Sequence, residues 1–546
     1  MTCRLRTWHV ALVYLTALGV RWVFAPSHNL AEDPFEFIES AKHLLLTGQY
    51  RIPSIGSPDL IVRYILPSWP AGYPLLLAGA FAVFGTQETV ARIVTMLVSS
   101  GVAPLAAMMS FMATHSTLAA MGAGLLAALH PLGVAFGGQV FSNNLSLTLF
   151  AAAVCLLVSS LRVAHGGGWA SYQEVAGDSR RCRHFGLAFL LLGFMMAVRD
   201  TDVMYMPAIA VLLFLGKFFA PFAGRGSAAR AAWWKLAGLA GGAALVGWAP
   251  GLYFNTVNFG SPFVLTHYQT GIRLSWDFLL RGSDALFGLP GFIVMSVTLL
   301  VYHFPFFFSM AFRGLDCVRI HPFLIMGTLI MVAVIAINGA FPVAATGAAP
   351  RYVLALIPFT AIVFGHTLDV VWRRKQRHLA IGFLAVVGGW LAFLTYPPPV
   401  LFGMWPRFAY LAYYSPVYVG HPYRQYPDHT NAMVRWVQAH TPRDAVIITP
   451  SRSQHFFYYG QRDVAILDAM DGTDWERLVS TRKVYLVEDR HLAVQPGERD
   501  LMKRKLEEKG IALAPVGSVI VFTPERGDTE LHAYLARLTP ADERAN

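Results

Sequence analysis

Two groups of side chains stand out in an otherwise apolar chain. One is the carboxylate pair Glu32 and Asp33; the other is the set of arginines Arg92, Arg199 and Arg351, each at the edge of an apolar run. A charge kept in or beside a membrane span is costly, which makes it a functional candidate. A carboxylate can take the proton of an attacking hydroxyl, and a guanidinium can hold phosphate oxygens in its planar fork. Each residue also has a plainer reading. Asp33, Pro34 and Glu36 have the order of a helix N-cap, a first-turn proline and a capping-box acid. Arg92 can pair with Glu88 four residues earlier, Arg199 with Asp200 or Asp202, and Arg351 can snorkel to headgroups. Asp33, Phe37 and Ala41 fall on one helix face by their spacing.

The elements that must position these groups are membrane helices. Of 546 residues, 55% are hydrophobic and only 14% charged, with mean hydropathy +0.48; a soluble domain carries about a quarter charged residues. A span needs about 20 apolar residues. The predicted fold is therefore mainly α: a polytopic helical membrane protein of about eleven spans with a C-terminal extracytoplasmic α/β domain. The spans expected are 8–24, 90–112, 117–136, 144–161, 185–198, 202–216, 233–250, 285–303, 322–342, 350–370 and 379–395, with 71–85 as a juxtamembrane or re-entrant segment.

The net charge of +11 sits mostly in short loops between the runs. It sets topology rather than a nucleic-acid surface. Arg162 with Arg180, Arg181 and Arg183, Lys217 with Arg225, Arg230 and Lys235, Arg313 with Arg319, and the cluster Arg373, Arg374, Lys375 and Arg377 all read as cytoplasmic. The N-terminus is then cytoplasmic, the first span uncleaved and the C-terminal domain extracytoplasmic. Arg92, Asn143 and the hairpin tip at Arg199 fall near the outer face.

The division expected is a transmembrane domain over 1–396 with a large first outer loop at 25–70 and a second at 251–283. An interfacial linker at 397–425, rich in Pro, Tyr and Trp, follows, and then a soluble α/β domain at 426–546. That domain shows an amphipathic helix at Thr430–Ala439 and a helical stretch at Glu498–Lys509. Its β-rich runs are Ala445–Thr449, Val464–Leu467, Lys483–Glu488 and Val516–Phe522, which suggest a partly parallel sheet. None of the four cysteines, Cys3, Cys155, Cys182 and Cys317, lies in this region or has metal-ligand spacing, so no disulfide or zinc-thiolate site is expected.

Asp33, Phe37, Ala41, Leu44 and Leu45, just after a first span, form a pattern that resembles the GT-C superfamily. More narrowly, it is similar to the protein O-mannosyltransferase and lipid A aminoarabinose transferase group. Arg63 and Pro70-Ala71-Gly72-Tyr73-Pro74, then Phe84-Gly85, Glu88 and Arg92, continue the resemblance. So do Arg199, Asn255 with Phe259-Gly260-Ser261-Pro262 and Tyr268, Pro350-Arg351-Tyr352 with Pro358, and Tyr458-Tyr459-Gly460-Gln461-Arg462. It spans roughly residues 8–470.

The resemblance implies an inverting glycosyltransferase that moves a sugar from a polyprenyl-phosphate donor to an acceptor hydroxyl on a glycan, lipid or protein. Asp33 is the implied general base, with Glu32 second. Arg92, Arg199 and Arg351 are the implied cations on the leaving lipid phosphate. Arg63, His267, Tyr268 and Tyr352 are implied contacts to substrate. Asn143 departs from the family, where an acid is common; Glu36, Asp200 or Asp202 are candidates to supply that charge, and use of a divalent metal stays open. The bacterial-type matches imply a bacterial inner membrane. Two other classes remain in view: a transporter or flippase, disfavoured because no internal repeat is visible, and a non-catalytic membrane scaffold.

Overall fold

The computed structural model describes residues 5–24, 33–53, 64–65, 69–162, 169–215, 227–264, 296, 299–311, 320–340, 353–374, 376–395, 429–448, 462–465, 472–488, 504, 506–508, 510–523 and 527–538. The chain is a helical membrane protein. Among the described residues, five helical segments are long and apolar enough to cross a bilayer: Glu88–Thr114, Ser142–Leu161, Ser179–Val198, Ser227–Phe259 and Val353–Arg373. The pair Thr117–Leu129 and Pro131–Gly137, bent by 51°, makes a sixth if it is one span.

The chain opens with α1 (Thr7–Phe24) and α2 (Asp33–Thr47), and a short antiparallel pair, β1 (Ile52–Pro53) and β2 (Tyr64–Ile65), follows. Next come α3 (Gly72–Phe84), α4 (Glu88–Ser100), α5 (Val102–Thr114), α6 (Thr117–Leu129), α7 (Pro131–Gly137) and α8 (Ser142–Leu161). At about 1.5 Å per residue, the 13 residues of α3 rise about 20 Å, short of the ~30 Å hydrocarbon core. After α9 (Tyr172–Gly177) come α10 (Ser179–Val198), a 3-10 turn over Asp200–Tyr205, α11 (Met206–Leu215) and α12 (Ser227–Phe259). The body then includes α13 (Phe304–Ala311), α14 (His321–Ala340), a second 3-10 turn (Val353–Leu356), α15 (Ile357–Arg373) and α16 (Arg377–Thr395).

Three boundaries differ from the sequence reading, each for a packing reason. The span expected at 185–198 starts at Ser179, because the Asp178 carboxylate accepts the Arg180 and Arg181 amides and caps the helix. Arg180, Arg181 and Arg183 thus sit on a helix rather than in a loop. The span expected at 233–250 is a helix of 33 residues that continues through Pro250. Glycines hold it against α10: Gly193 lies on the Ala244 backbone, Gly247 on the Leu190 carbonyl and Gly251 on Ala197. Such close small-residue packing offsets the hydrogen bond that the proline forfeits. The loop expected from residue 251 therefore starts at Gly260. Finally, the span expected at 202–216 is helical only from Met206, because the residues before it form the 3-10 turn that carries Asp200 and Asp202.

The α6/α7 break is held from α1. Buried Arg21 donates to Ala17 O and Ala128 O, so its cation faces the carbonyl end of α6, where a helix carries partial negative charge. Pro131 restarts the chain as α7 at the first helical position. These contacts give the buried arginine a structural role.

The C-terminal part holds α17 (His429–His440), β3 (Val446–Ile448), β4 (Asp463–Ala465), α18 (Gly472–Thr481), β5 (Val484–Glu488), β6 (Ile511–Thr523) and β7 (Gly527–Leu538). The strands form one mixed sheet in the order β4-β3-β5-β7-β6. The pairs β3/β4 and β3/β5 are parallel; β5/β7 and β6/β7 are antiparallel. Strand alternation divides the apolar side chains between two faces. Ile447, Tyr485 and Val487 pack with Val434 and Val437 of α17, while Val446, Ile448, Val484 and Leu486 pack with Trp475 and Leu478 of α18. The strand β7 has no counterpart in the sequence reading. Most of the helical stretch expected at Glu498–Lys509 lies outside the described residues.

Candidate active site

The site is built around Arg199, which follows the last residue of α10 and is almost wholly buried. Its Nη1 donates to Asn143 Oδ1 at 2.8 Å, Nε lies 3.2 Å from Asp202 Oδ1, and Nη2 is 3.3 Å from Thr201 Oγ1. The guanidinium carbon stands 5.9 Å from the centroid of the Trp69 ring, within cation–π range. Asp202 also accepts the Ser146 hydroxyl. The first turn of α8, the end of α10 and the 3-10 turn after it are thereby tied together by polar groups. A small cavity at this junction is lined by Asn143, Ser146, Leu147, Asp202, Tyr205, Leu354 and Ala355.

The segment between α1 and α3 closes the other side. Trp69 Nε1 donates to Glu36 Oε2 at 3.0 Å, which fixes the ring between α2 and Arg199. Phe37 meets Trp69 and, edge-on, Tyr73, with ring centroids 5.5 and 5.2 Å apart. Tyr50 donates to Trp69 O at 2.6 Å. Burial pushes the Tyr50 phenol well above its usual range, and the charges of Glu36 and Asp200 push it further in the same direction. The hydroxyl therefore stays protonated and keeps its bond to the Trp69 carbonyl. Asn258 Nδ2 in turn donates to Tyr50 O, and Asn255 Nδ2 to the carbonyls of Pro262 and Val264. These bonds tie the segment after α12 to the segment after α2, with Gly260 supplying the left-handed turn at φ 74°.

The segment Pro70-Ala71-Gly72-Tyr73-Pro74 has a physical explanation here. A Cβ placed on Gly72 would lie 2.6 Å from Ala197 O and 2.9 Å from a Val198 methyl. The start of α3 can approach the end of α10 only without a side chain. Tyr73 then reaches α4, its hydroxyl 2.6 Å from Thr95 Oγ1. Gly72→Ala should push α3 off the end of α10 and cost about 1–3 kcal/mol, as overpacked sites do. Thermal unfolding of the purified variant measures this, and an unchanged midpoint would show that the backbones separate freely.

Of the residues singled out from the sequence, Arg199 is central. Asp33 is the first residue of α2, one turn before Glu36. Arg92 is half-buried in the second turn of α4, three residues before Thr95. Glu32, Arg63, His267, Tyr268, Arg351 and Tyr352 lie outside the described residues. The 3-10 turn that begins at Val353 nevertheless brings Leu354 and Ala355 to the cavity. Arg462 serves elsewhere: it donates to Thr441 O and Gln438 O, closing the end of α17. Among the described residues, no three or more His, Cys, Asp or Glu side chains gather as a metal cluster.

Sequence reasoning missed Trp69, Tyr50 and Ser146. Trp69 had a signal, since it directly precedes the proline-glycine segment. Ser146 had none, because one serine in an apolar helix is unremarkable until its partner is known.

The fold matches solved structures over nearly the whole chain. The apo structure of ArnT from Cupriavidus metallidurans is 14% identical, with a TM-score of 0.59, covering 97% of this chain and 98% of that one. The same protein bound to undecaprenyl phosphate is 13% identical, with a TM-score of 0.58 and 97% coverage of both chains. This chain has the ArnT fold. ArnT is the lipid A aminoarabinose transferase, a GT-C glycosyltransferase, so the architecture implied by the sequence resemblance is present. Residues 428–466 match DUF6798, a domain of unknown function. No curated protein matches the chain.

Proposed function

We propose that this chain is an inverting glycosyltransferase that takes a sugar from a polyprenyl-phosphate donor and places it on an acceptor hydroxyl at the extracytoplasmic face. The observation that carries the proposal is the buried Arg199, held by Asn143 and Asp202 and covered by Trp69, beside the helix that Asp33 begins. A cation fixed at low dielectric is suited to the charge that grows on a leaving phosphate. The ArnT fold supports the choice of donor, since ArnT has been seen with undecaprenyl phosphate bound.

In this reading Asp33 takes the acceptor proton, with Glu32 as the second candidate. Arg92, Arg199 and Arg351 hold the donor phosphate, and Arg63, His267, Tyr268 and Tyr352 contact substrate. The acceptor oxygen forms its bond to the anomeric carbon as the bond to the phosphate oxygen breaks, and polyprenyl phosphate leaves. The N-terminus lies in the cytoplasm, the C-terminal sheet lies outside, and the host membrane is a bacterial inner membrane. The protein, purified in lipid and incubated with a panel of polyprenyl-phosphate sugars, should release free polyprenyl phosphate from at least one of them. No release from any donor, with an acceptor-containing envelope extract present, would count against the reading.

A further inference from the structure

His303 is fully buried immediately before α13. Its Nε2 lies 2.9 Å from Val353 O and its Nδ1 2.8 Å from Thr360 Oγ1. A carbonyl oxygen only accepts, so Nε2 carries the proton and donates; in the neutral ring Nδ1 then accepts the Thr360 hydroxyl. Val353 opens the second 3-10 turn, and Thr360 lies in the first turn of α15. One imidazole thus grips both sides of the segment that presents Leu354 and Ala355 to the cavity of Asn143, Ser146 and Asp202.

The ring is itself restrained. His130 stacks on it at 5.2 Å between centroids, and Trp390 packs against His130 at 5.8 Å. His130 Nε2 lies 3.0 Å from Tyr302 O, and Trp390 Nε1 donates to Val301 O. The two residues before His303 in the chain are therefore fixed by the same stack. No apolar side chain of similar volume could replace the imidazole, because the Val353 carbonyl would lose this donor in a buried setting.

We infer that His303 is a positioning residue that sets the wall of the cavity between Asn143, Asp202 and Leu354 by clamping the turn Val353–Leu356, two residues after Arg351 in the chain. The inference rests on the donor reading above, because the cavity matters only if a lipid phosphate is held beside it. His303 is fully buried and does not itself line the cavity. It acts through the backbone carbonyl that it holds.

The test uses the full chain in lipid nanodiscs, with undecaprenyl phosphate as the probe. His303→Leu should speed amide hydrogen exchange over residues 354–357 about tenfold and weaken undecaprenyl phosphate binding about tenfold, on the scale of one lost buried hydrogen bond. His303→Gln keeps an N–H near the Nε2 position and should hold both readouts within about threefold of wild type. Thr360→Val removes only the second contact and gives a milder perturbation should the leucine variant fold poorly. Unchanged exchange in folded His303→Leu or Thr360→Val would overturn the clamp, as would faster exchange with undiminished binding. A wild-type protein that ignores undecaprenyl phosphate would instead sink the donor reading, while the exchange measurements would still decide whether His303 holds the turn.

Discussion

Replacing Arg199 with glutamine should lower sugar transfer by about 10²–10³-fold, the loss typical of removing one preorganised donor from a developing anion. The same change leaves Asp202 buried without its cation, and breaking a buried pair costs about 3–5 kcal/mol. Stability and activity therefore fall together in the single variant, which alone cannot separate a structural clamp from a phosphate ligand. The double variant Arg199→Gln/Asp202→Asn separates them. With the carboxylate neutralised, Ser146 and the glutamine amide can still bond at the junction, so the unfolding midpoint should recover most of its loss. Transfer should not recover, because the cation is still missing. The measurements are thermal unfolding in lipid and release of free polyprenyl phosphate. Recovery of transfer along with stability would make Arg199 a structural tie between α8 and the 3-10 turn.

That ambiguity was already present in the sequence. Arg199 beside Asp200 and Asp202 reads equally well as an ion-paired hairpin tip or as a ligand for phosphate, and the folded chain shows the ion pair with Asp202. Its Nε faces Asp202 while Nη1 is aimed at Asn143, 56 residues away. The i, i+3 pairing was legible because it is local. The contact with Asn143 was not, because it depends on where α8 lands beside α10, and no local pattern encodes that.

The helices were legible for the same reason. Long apolar runs report lipid burial residue by residue, whereas their ends are decided by partners elsewhere. Glycines 193, 247 and 251 carry α12 past a proline that ought to stop it, and the polar turn at Asp200 delays α11. The mixed sheet shows the limit from the other side. β3 and β5 announce themselves as short apolar runs, but β7 reads Gly-Asp-Thr-Glu-Leu-His-Ala-Tyr-Leu-Ala-Arg-Leu, with little apolar residue in its first half. It forms because β6 pairs with it residue by residue. The Gly72 approach to Ala197 was visible as a motif but without a cause until the two backbones were seen together.

The largest effect is expected at Asp33. Asparagine is nearly isosteric with aspartate and has a similar helix propensity, so Asp33→Asn should leave helix α2 and thermal stability almost unchanged, within about 0.5 kcal/mol. It cannot take a proton at neutral pH, so transfer should fall by about 10²–10⁴-fold if Asp33 is the base. Asp33→Ala removes the side-chain hydrogen-bonding group at the helix start as well and should add about 1 kcal/mol of destabilisation with no further loss of transfer beyond that of the asparagine variant. The two substitutions assign the two roles that one residue can hold at the start of a helix. Near-normal transfer in Asp33→Asn, with loss only in Asp33→Ala, would mean that position 33 serves the helix and that the proton goes elsewhere. Glu32→Gln is the next variant in that case, since its carboxylate is the neighbouring candidate; Glu36 is already engaged by Trp69 at 3.0 Å and would have to release that indole to reach an acceptor.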